Sequence, residues 1–131
     1  MDTFDGYPIR SGFSGQGWEL ENCASVAAAH PATFEVPSPD EAGLVQVGDL
    51  LRLHFLITDA ATISDPSNPR AERMWVEVCD VPGGGVFRGH LTNEPAYISS
   101  LEPGDVIEFA WEHVAQVYVK SGDPRYPSEQ T

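Results

Sequence analysis

The chain has 131 residues and a mass of 14.2 kDa, enough for one domain whose core needs neither disulfides nor a structural metal. Seven Lys and Arg residues stand against 20 Asp and Glu residues, which gives a formal net charge of −13. Such a chain cannot present the basic stripe that nucleic-acid backbones require, so no nucleic-acid partner is expected.

The N-terminal segment MDTFDGYPIR lacks the apolar core of a secretory signal, and no apolar run approaches the ~20 residues of a membrane span. We therefore expect a soluble, cytoplasmic protein with no membrane partner. Cys23 and Cys79 lie in no CxxC or Cys/His metal pattern. Two reduced thiols are expected, with a single disulfide as the alternative.

Residues 1–17 are rich in Gly and Pro and show neither helix nor strand periodicity, so we interpret them as an N-terminal arm. A single domain is predicted over 18–120, beginning with a short strand at 18–20. Residues 121–131 read as a frayed C-terminal tail.

The next predicted elements are short. Asn22 suits the N-cap of an alanine-rich helix over Cys23–Ala29, which Pro31 stops. Residues 33–36 (TFEV) predict a strand piece. SPDE at 38–41 is a capping-box pattern and predicts a helical turn.

From Gly48 the hydrophobic period changes to two. GDLLRLHFLI predicts a half-buried strand with Leu51, Leu53, Phe55 and Ile57 on one face. After a loop over 59–70, which is long for a compact domain, RMWVEVCD and VFRGHL predict a hairpin about the PGGG turn.

A strand is predicted behind Gly104-Asp105, with Ile107, Phe109 and Trp111 on its buried face, and a final strand is predicted over 114–119. VQVGDLLRLHF and LEPGDVIEFAW both place Gly-Asp before a strand. We interpret this similarity as the same Gly-Asp turn occurring twice and not as a duplicated domain.

An ordered set of segments carries a family resemblance. ERMWVEV, GHLTNEP, LEPGDVIEF and His113-Val114, with TFEVP and GDLLRLHF upstream, resemble the bacterial DUF2314-type families of unknown function. These are sometimes grouped with predicted immunity proteins of polymorphic toxin systems. The resemblance covers residues 18–117, implies a β-rich fold, offers toxin neutralisation as one option and brings no catalytic residue.

No familiar catalytic or metal pattern is present. The sequence has no GxSxG elbow, no HExxH and no His-x-His, and its four histidines are scattered singly. We expect structural or surface roles for them and no catalytic residue, metal or cofactor.

The acidic residues are grouped along the chain. Residues 11–51 contain six carboxylates and residues 89–115 contain five, and neither block contains a Lys or Arg. A negative field of this kind would attract a basic partner. The alternative is that the acidic residues only keep the protein soluble. The partner-binding residues that we predict are Glu94, Glu102, Asp105, Glu108 and Glu112, with Trp75 as an aromatic anchor unless a second layer covers it.

The sequence thus predicts a β-rich α+β fold: a bent or partly closed antiparallel sheet of five to six strands with one short helix and a helical turn. The function that we favour is a non-enzymatic acidic protein-binding domain, in particular an immunity protein that neutralises a basic toxin. One alternative is a small enzyme or ligand-binding domain with a pocket under loop 59–70 and the 93–95 turn. Another is an accessory domain that self-associates through its arm and tail; the sequence leaves the oligomeric state open.

Overall fold

A computed structural model of the chain describes residues 3–11, 17–120 and 123–125. It contains an open, mixed sheet whose eight strands are β1 (Thr3–Phe4), β2 (Tyr7–Ser11), β3 (Trp18–Leu20), β4 (Leu50–Ile57), β5 (Ala71–Gly83), β6 (Val86–Leu91), β7 (Val106–Ala110) and β8 (Val114–Val117). Its helical elements are short: α1 (Cys23–Ala29), α2 (Ala60–Ile63) and the 3₁₀ helices Pro39–Leu44 and Trp111–His113. None of the helices in these ranges is long and apolar enough to cross a bilayer.

The strand order is β1-β2-β7-β6-β5-β4, and the outer edge of β4 is shared by two short strands. β3 pairs with the end of β4 at Phe55–Ile57, and β8 pairs with its start at Leu51–Leu53. All pairings are antiparallel except that of β2 with β7, in which Ile9 lies opposite Val106.

The β-rich class is confirmed, but the predicted count of five to six strands and the purely antiparallel arrangement are wrong. The difference arises at the N-terminus, where residues 3–11 form two strands and not an irregular arm. β2 adds to the sheet by pairing with a strand almost a hundred residues later, and no local pattern reveals such a partner. The glycine-rich residues 12–16 lie outside the described residues.

Several local predictions are confirmed. The α1 helix has the predicted bounds, and the Asn22 side chain accepts a hydrogen bond from the Ser25 N–H at 2.9 Å. The capping box forms reciprocally, since Ser38 accepts from the Asp40 N–H and Glu41 from the Ser38 N–H. The hairpin of β5 and β6 turns at residues 83–86.

Other local predictions are wrong. Residues 33–36 form no strand, and the final strand ends at Val117, two residues early. The segment 59–70 is not a plain loop, because Asp59 caps α2 by accepting from the Thr62 N–H. Trp111, predicted as core, begins a 3₁₀ helix and only partly enters the core.

One face of the sheet carries the hydrophobic core. Alternate β4 residues are buried as predicted, and Phe55 packs against Trp18 of β3 with the ring centres 5.4 Å apart. The opposite face of β4 carries Arg52 and His54, and His54 is itself buried. The strand therefore separates an apolar core from a polar layer.

The two Gly-Asp turns are built alike. Gly48 and Gly104 both have positive φ, of 99° and 96°. The carboxylate of Asp49 accepts from the Gln46 N–H, and that of Asp105 accepts from the Glu102 N–H. The similarity between the two sequence segments thus reflects two turns of the same structure, as predicted.

Each of these turns holds a chain end through an arginine. Arg125 forms two hydrogen bonds with Asp49, at 2.7 and 2.9 Å, and Arg10 of β2 pairs with Asp105 at 3.7 Å. Residues 123–125 of the predicted frayed tail are therefore anchored to the domain. Residues 121–122 and 126–131 of that tail lie outside the described residues.

Candidate functional site

The predicted partner-binding carboxylates do not all face solvent. Glu94, Glu102 and Glu112 are exposed. Asp105 is 3% exposed, and its carboxylate is paired with the Glu102 N–H and with Arg10, so the structure does not present it to solvent. It is buried because its carboxylate completes the turn that introduces β7.

Glu108 shares an arginine with a second carboxylate on the sheet. Arg88 donates to Glu108 at 3.0 Å and to Asp80 at 3.2 Å, which forms an ionic network across three strands. These carboxylates raise the pKa of Arg88 above its ordinary value. One positive charge against two negative charges leaves Glu108 only partly neutralised.

Trp75 is half-buried on the outer face of β5. Its ring meets Tyr118 edge-on at 6.4 Å, and the guanidinium of Arg52 lies 5.8 Å from the ring centre. The α1 helix contacts β8 and the 3₁₀ helix Trp111–His113, and Trp75 is covered by side chains of its own sheet. Its role as an aromatic anchor stays a prediction.

The segments that carry the family resemblance meet each other in the fold. Glu72, from ERMW, accepts three backbone N–H groups of the 96–98 loop at 2.7, 2.9 and 3.0 Å. Asn93, from NEP, accepts the Trp75 N–H at 2.7 Å. These residues fix a loop onto β5, and we assign them a structural role.

The pocket expected under loop 59–70 is small. A recess of about 50 Å³ lies there, lined among others by Asp59, Thr62 and Tyr97. Ligand sites usually measure ~300–1,000 Å³. This recess offers space for a water molecule or two.

A larger cleft lies between the 35–41 segment and β8. It measures about 390 Å³. Its charged lining residues are Glu35, Glu41 and Arg52, and its apolar lining residues include Val36, Pro37 and Val117. Glu41 is held in place by the Ser38 N–H at 2.9 Å, whereas Glu35 is exposed. The cleft has two acidic side chains against one basic side chain, and its lining is mostly polar with a few apolar side chains.

A second cleft, of about 370 Å³, lies beside the ion pair of Asp49 with Arg125. Arg125 pairs with Asp49 at 2.7 Å and with Asp123 at 2.9 Å. Lys120 also lines the cleft, so its charged side chains are two acidic and two basic residues. The pairing raises the pKa of Arg125 and lowers that of Asp123. With its charges matched, this cleft provides little net field.

A cluster of three chemically different groups lies where the start of α1 meets β4. Potential ligand atoms of Glu21, Cys23 and His54 all lie within 4.8 Å of one another. The Nδ1 atom of His54 is 3.0 Å from a Glu21 carboxylate oxygen, and the Phe34 ring covers His54 edge-on at 5.9 Å. These residues come from the β3–α1 turn and from β4.

No sequence motif marks this cluster, since the three residues have no standard ligand spacing. The available signal was weaker: His54 lies on the non-core face of β4, opposite Phe55, and Glu21 and Cys23 flank a helix N-cap. The cleft residues were missed because 33–36 was interpreted as a strand. An extended coil lets Glu35 and Val36 both reach one cleft.

Two other histidines have defined structural partners. His90 Nδ1 lies 2.9 Å from the Gly104 carbonyl oxygen, and His113 Nδ1 accepts from the Ala110 N–H. Burial lowers the pKa of His113, which favours the neutral ring that this acceptor role needs.

Comparison with known proteins identifies the family. A family described as "Uncharacterized protein conserved in bacteria (DUF2314)" matches residues 38–124. The chain belongs to this family. No curated protein and no solved structure matches it.

The DUF2314 match includes β4 to β8 and both Gly-Asp turns, and it excludes β1, β2, β3 and α1. The larger cleft spans this boundary, because Glu41 and Arg52 lie inside the match and Glu35 lies outside. In the Glu21–Cys23–His54 cluster, only His54 lies within the DUF2314 region.

Both cysteines are free thiols, as expected. Cys23 is fully buried, and burial together with the Glu21 charge raises its pKa to about 12. Cys79 is partly exposed, and burial also raises its pKa. Neither is an activated nucleophile.

We expect iodoacetamide to modify Cys79 well before Cys23 in native, chelator-treated protein, because only Cys79 is accessible. Peptide mass spectrometry over a time course measures the two rates. Adding denaturant is expected to equalise them. Faster native labelling at Cys23 would contradict the buried position of this thiol at the start of α1.

Proposed function

We propose that this DUF2314 protein is a non-enzymatic binding domain for a basic protein, and that the cleft between the 35–41 segment and β8 receives a Lys or Arg side chain of the partner. The observation that carries this proposal is the placement of Glu35 and Glu41 on one cleft of about 390 Å³. In this proposal the cleft takes the central role that the sequence assigned to the 94–112 carboxylates.

The chemistry of the cleft suits a long cationic side chain. Val36, Pro37 and Val117 offer an apolar wall for the methylene stem, and the two carboxylates meet the charged end. The Glu41 carboxylate is fixed by the capping box, so little of its conformational entropy is lost on binding. Arg52 also lines the cleft, and its guanidinium lies over the Trp75 ring at 5.8 Å from the ring centre.

The overall charge supports the same partner class. A net charge of −13 accelerates encounter with a cationic protein and disfavours anionic partners. Glu94, Glu102 and Glu112 are exposed and would add to this long-range field. The resemblance to families grouped with predicted immunity proteins makes a basic toxin the specific partner that we propose.

A peptide of alternating Lys and Ala, carrying a fluorophore, tests the cleft by fluorescence anisotropy. We expect Glu35→Gln/Glu41→Gln to weaken its binding about tenfold, since two ion pairs of up to about 1 kcal/mol each are lost. Gln at position 41 retains an acceptor for the Ser38 N–H. Binding should also weaken toward ~1 M salt, where the Debye length is ~3 Å.

The matched control is Glu94→Gln/Glu102→Gln, which makes the same change in charge on the surface predicted from sequence. Equal weakening by both double variants would mean that charge acts without a defined site. Weakening by the control alone would move the binding surface to the 94–112 region. Salt-independent binding would contradict the electrostatic proposal altogether.

A further inference from the structure

The Glu21–Cys23–His54 cluster combines three donors in a way that the binding proposal does not use. A carboxylate, a thiol and an imidazole from two separate elements are brought within 4.8 Å of one another. Cys23 is 0% exposed and His54 is 6% exposed. Of the three groups, only the Glu21 carboxylate is partly exposed, at 26% of its side chain.

The hydrogen bonding of His54 is incomplete. Its Nδ1 atom is matched to Glu21, but among the described residues its buried Nε2 atom has no hydrogen-bond partner. The distance of 3.0 Å between Nδ1 and the Glu21 oxygen is close to the separation of two donors on one Zn²⁺ ion. An ion bound together with Glu21 would therefore take Nδ1 and leave the ring proton on Nε2.

We propose that Glu21, Cys23 and His54 form a Zn²⁺ site that joins the β3–α1 turn to β4. The set of one sulfur, one nitrogen and one oxygen donor suits Zn²⁺, which binds all three, and does not suit Mg²⁺ or Ca²⁺, which prefer oxygen alone. Binding displaces the thiol proton to solvent and leaves a thiolate on the ion.

The geometry needs only a small adjustment. Donors bound tetrahedrally at ~2.0–2.3 Å from Zn²⁺ lie about 3.6 Å apart, against a largest separation of 4.8 Å in the cluster. The Glu21 side chain is 26% exposed, so the ion can enter from its side. Three protein donors leave a fourth position for water.

Chelator-stripped full-length protein, titrated with Zn²⁺ by calorimetry, tests this site. We expect one ion per chain, and we expect Cys23→Ser to lower the affinity by about 100-fold or more. Cys79→Ser is the matched control and should leave the affinity unchanged. Co²⁺ in place of Zn²⁺ should give a thiolate-to-cobalt charge-transfer band that Cys23→Ser abolishes and Cys79→Ser retains.

Glu21→Gln is a second variant that is expected to fold, because Glu21 is partly exposed and the amide has nearly the same size as the carboxylate. Its affinity for Zn²⁺ should fall while its unfolding transition in the presence of chelator stays cooperative. Absence of stoichiometric Zn²⁺ binding by the unmodified protein would overturn the proposal. Equal losses in Cys23→Ser and Cys79→Ser would overturn it as well, and neither result bears on the basic-partner cleft.

Discussion

Trp18→Ala is expected to lower the free energy of unfolding by about 3–5 kcal/mol, the range for removing a large aromatic side chain from a core. Trp18 is 0% exposed and packs on Phe55, which is also fully buried. Its Nε1 atom makes no hydrogen bond among the described residues, so packing accounts for the effect. Trp18→Phe should therefore cost much less.

Urea denaturation followed by circular dichroism measures the loss. Trp75→Ala is the matched control, since Trp75 is half-buried on the other face of the sheet and should cost no more than about 2 kcal/mol. Equal losses for the two tryptophans would contradict the assignment of Trp18 to the core face.

The position of Trp18 also bears on the extent of the domain. Trp18, Leu20 and Cys23 are buried, yet all precede the region 38–124 that matches DUF2314. β3 covers the end of β4 that carries Phe55. In this chain the family region is therefore completed by upstream residues that supply part of its core.

The elements that the sequence predicted well are those whose signals are local. The period-two pattern of β4, the PGGG hairpin and the Asn22 and Ser38 caps each depend on residues a few positions apart. β2 could not be predicted in this way, because its five residues include Pro8 and its last three pair in parallel with the distant β7. Its stability comes from that partner and not from its own pattern.

The candidate sites illustrate the same limit. The sequence shows that carboxylates are abundant, but not that Asp105 closes a turn while Glu35 and Glu41 share a cleft. The sequence positions of Cys23 and His54 match no standard ligand spacing, so the sequence does not link these two residues. Only the pairing of β3 with β4 brings the turn containing Glu21 beside His54.

Glu72→Ala is expected to lower the free energy of unfolding by about 2–3 kcal/mol, because one charged acceptor serves several backbone donors. The N–H groups of Ala96, Tyr97 and Ile98 all donate to its carboxylate. Ile98 is 4% exposed, so the loop cannot release its donors to water without withdrawing this side chain from the core. Loss of the carboxylate therefore weakens hydrogen bonding and packing together.

Glu77→Ala provides the comparison on the same strand. Glu77 is exposed and forms no ion pair among the described residues, so its removal should change the stability by less than about 0.5 kcal/mol. Hydrogen exchange adds a local measurement: amides 96–98 should lose protection in Glu72→Ala and keep it in Glu77→Ala. A Glu72→Ala protein of unchanged stability that lost basic-peptide binding would mean that this motif serves recognition. We expect the reverse, because the carboxylate of Glu72 is already occupied by its own chain.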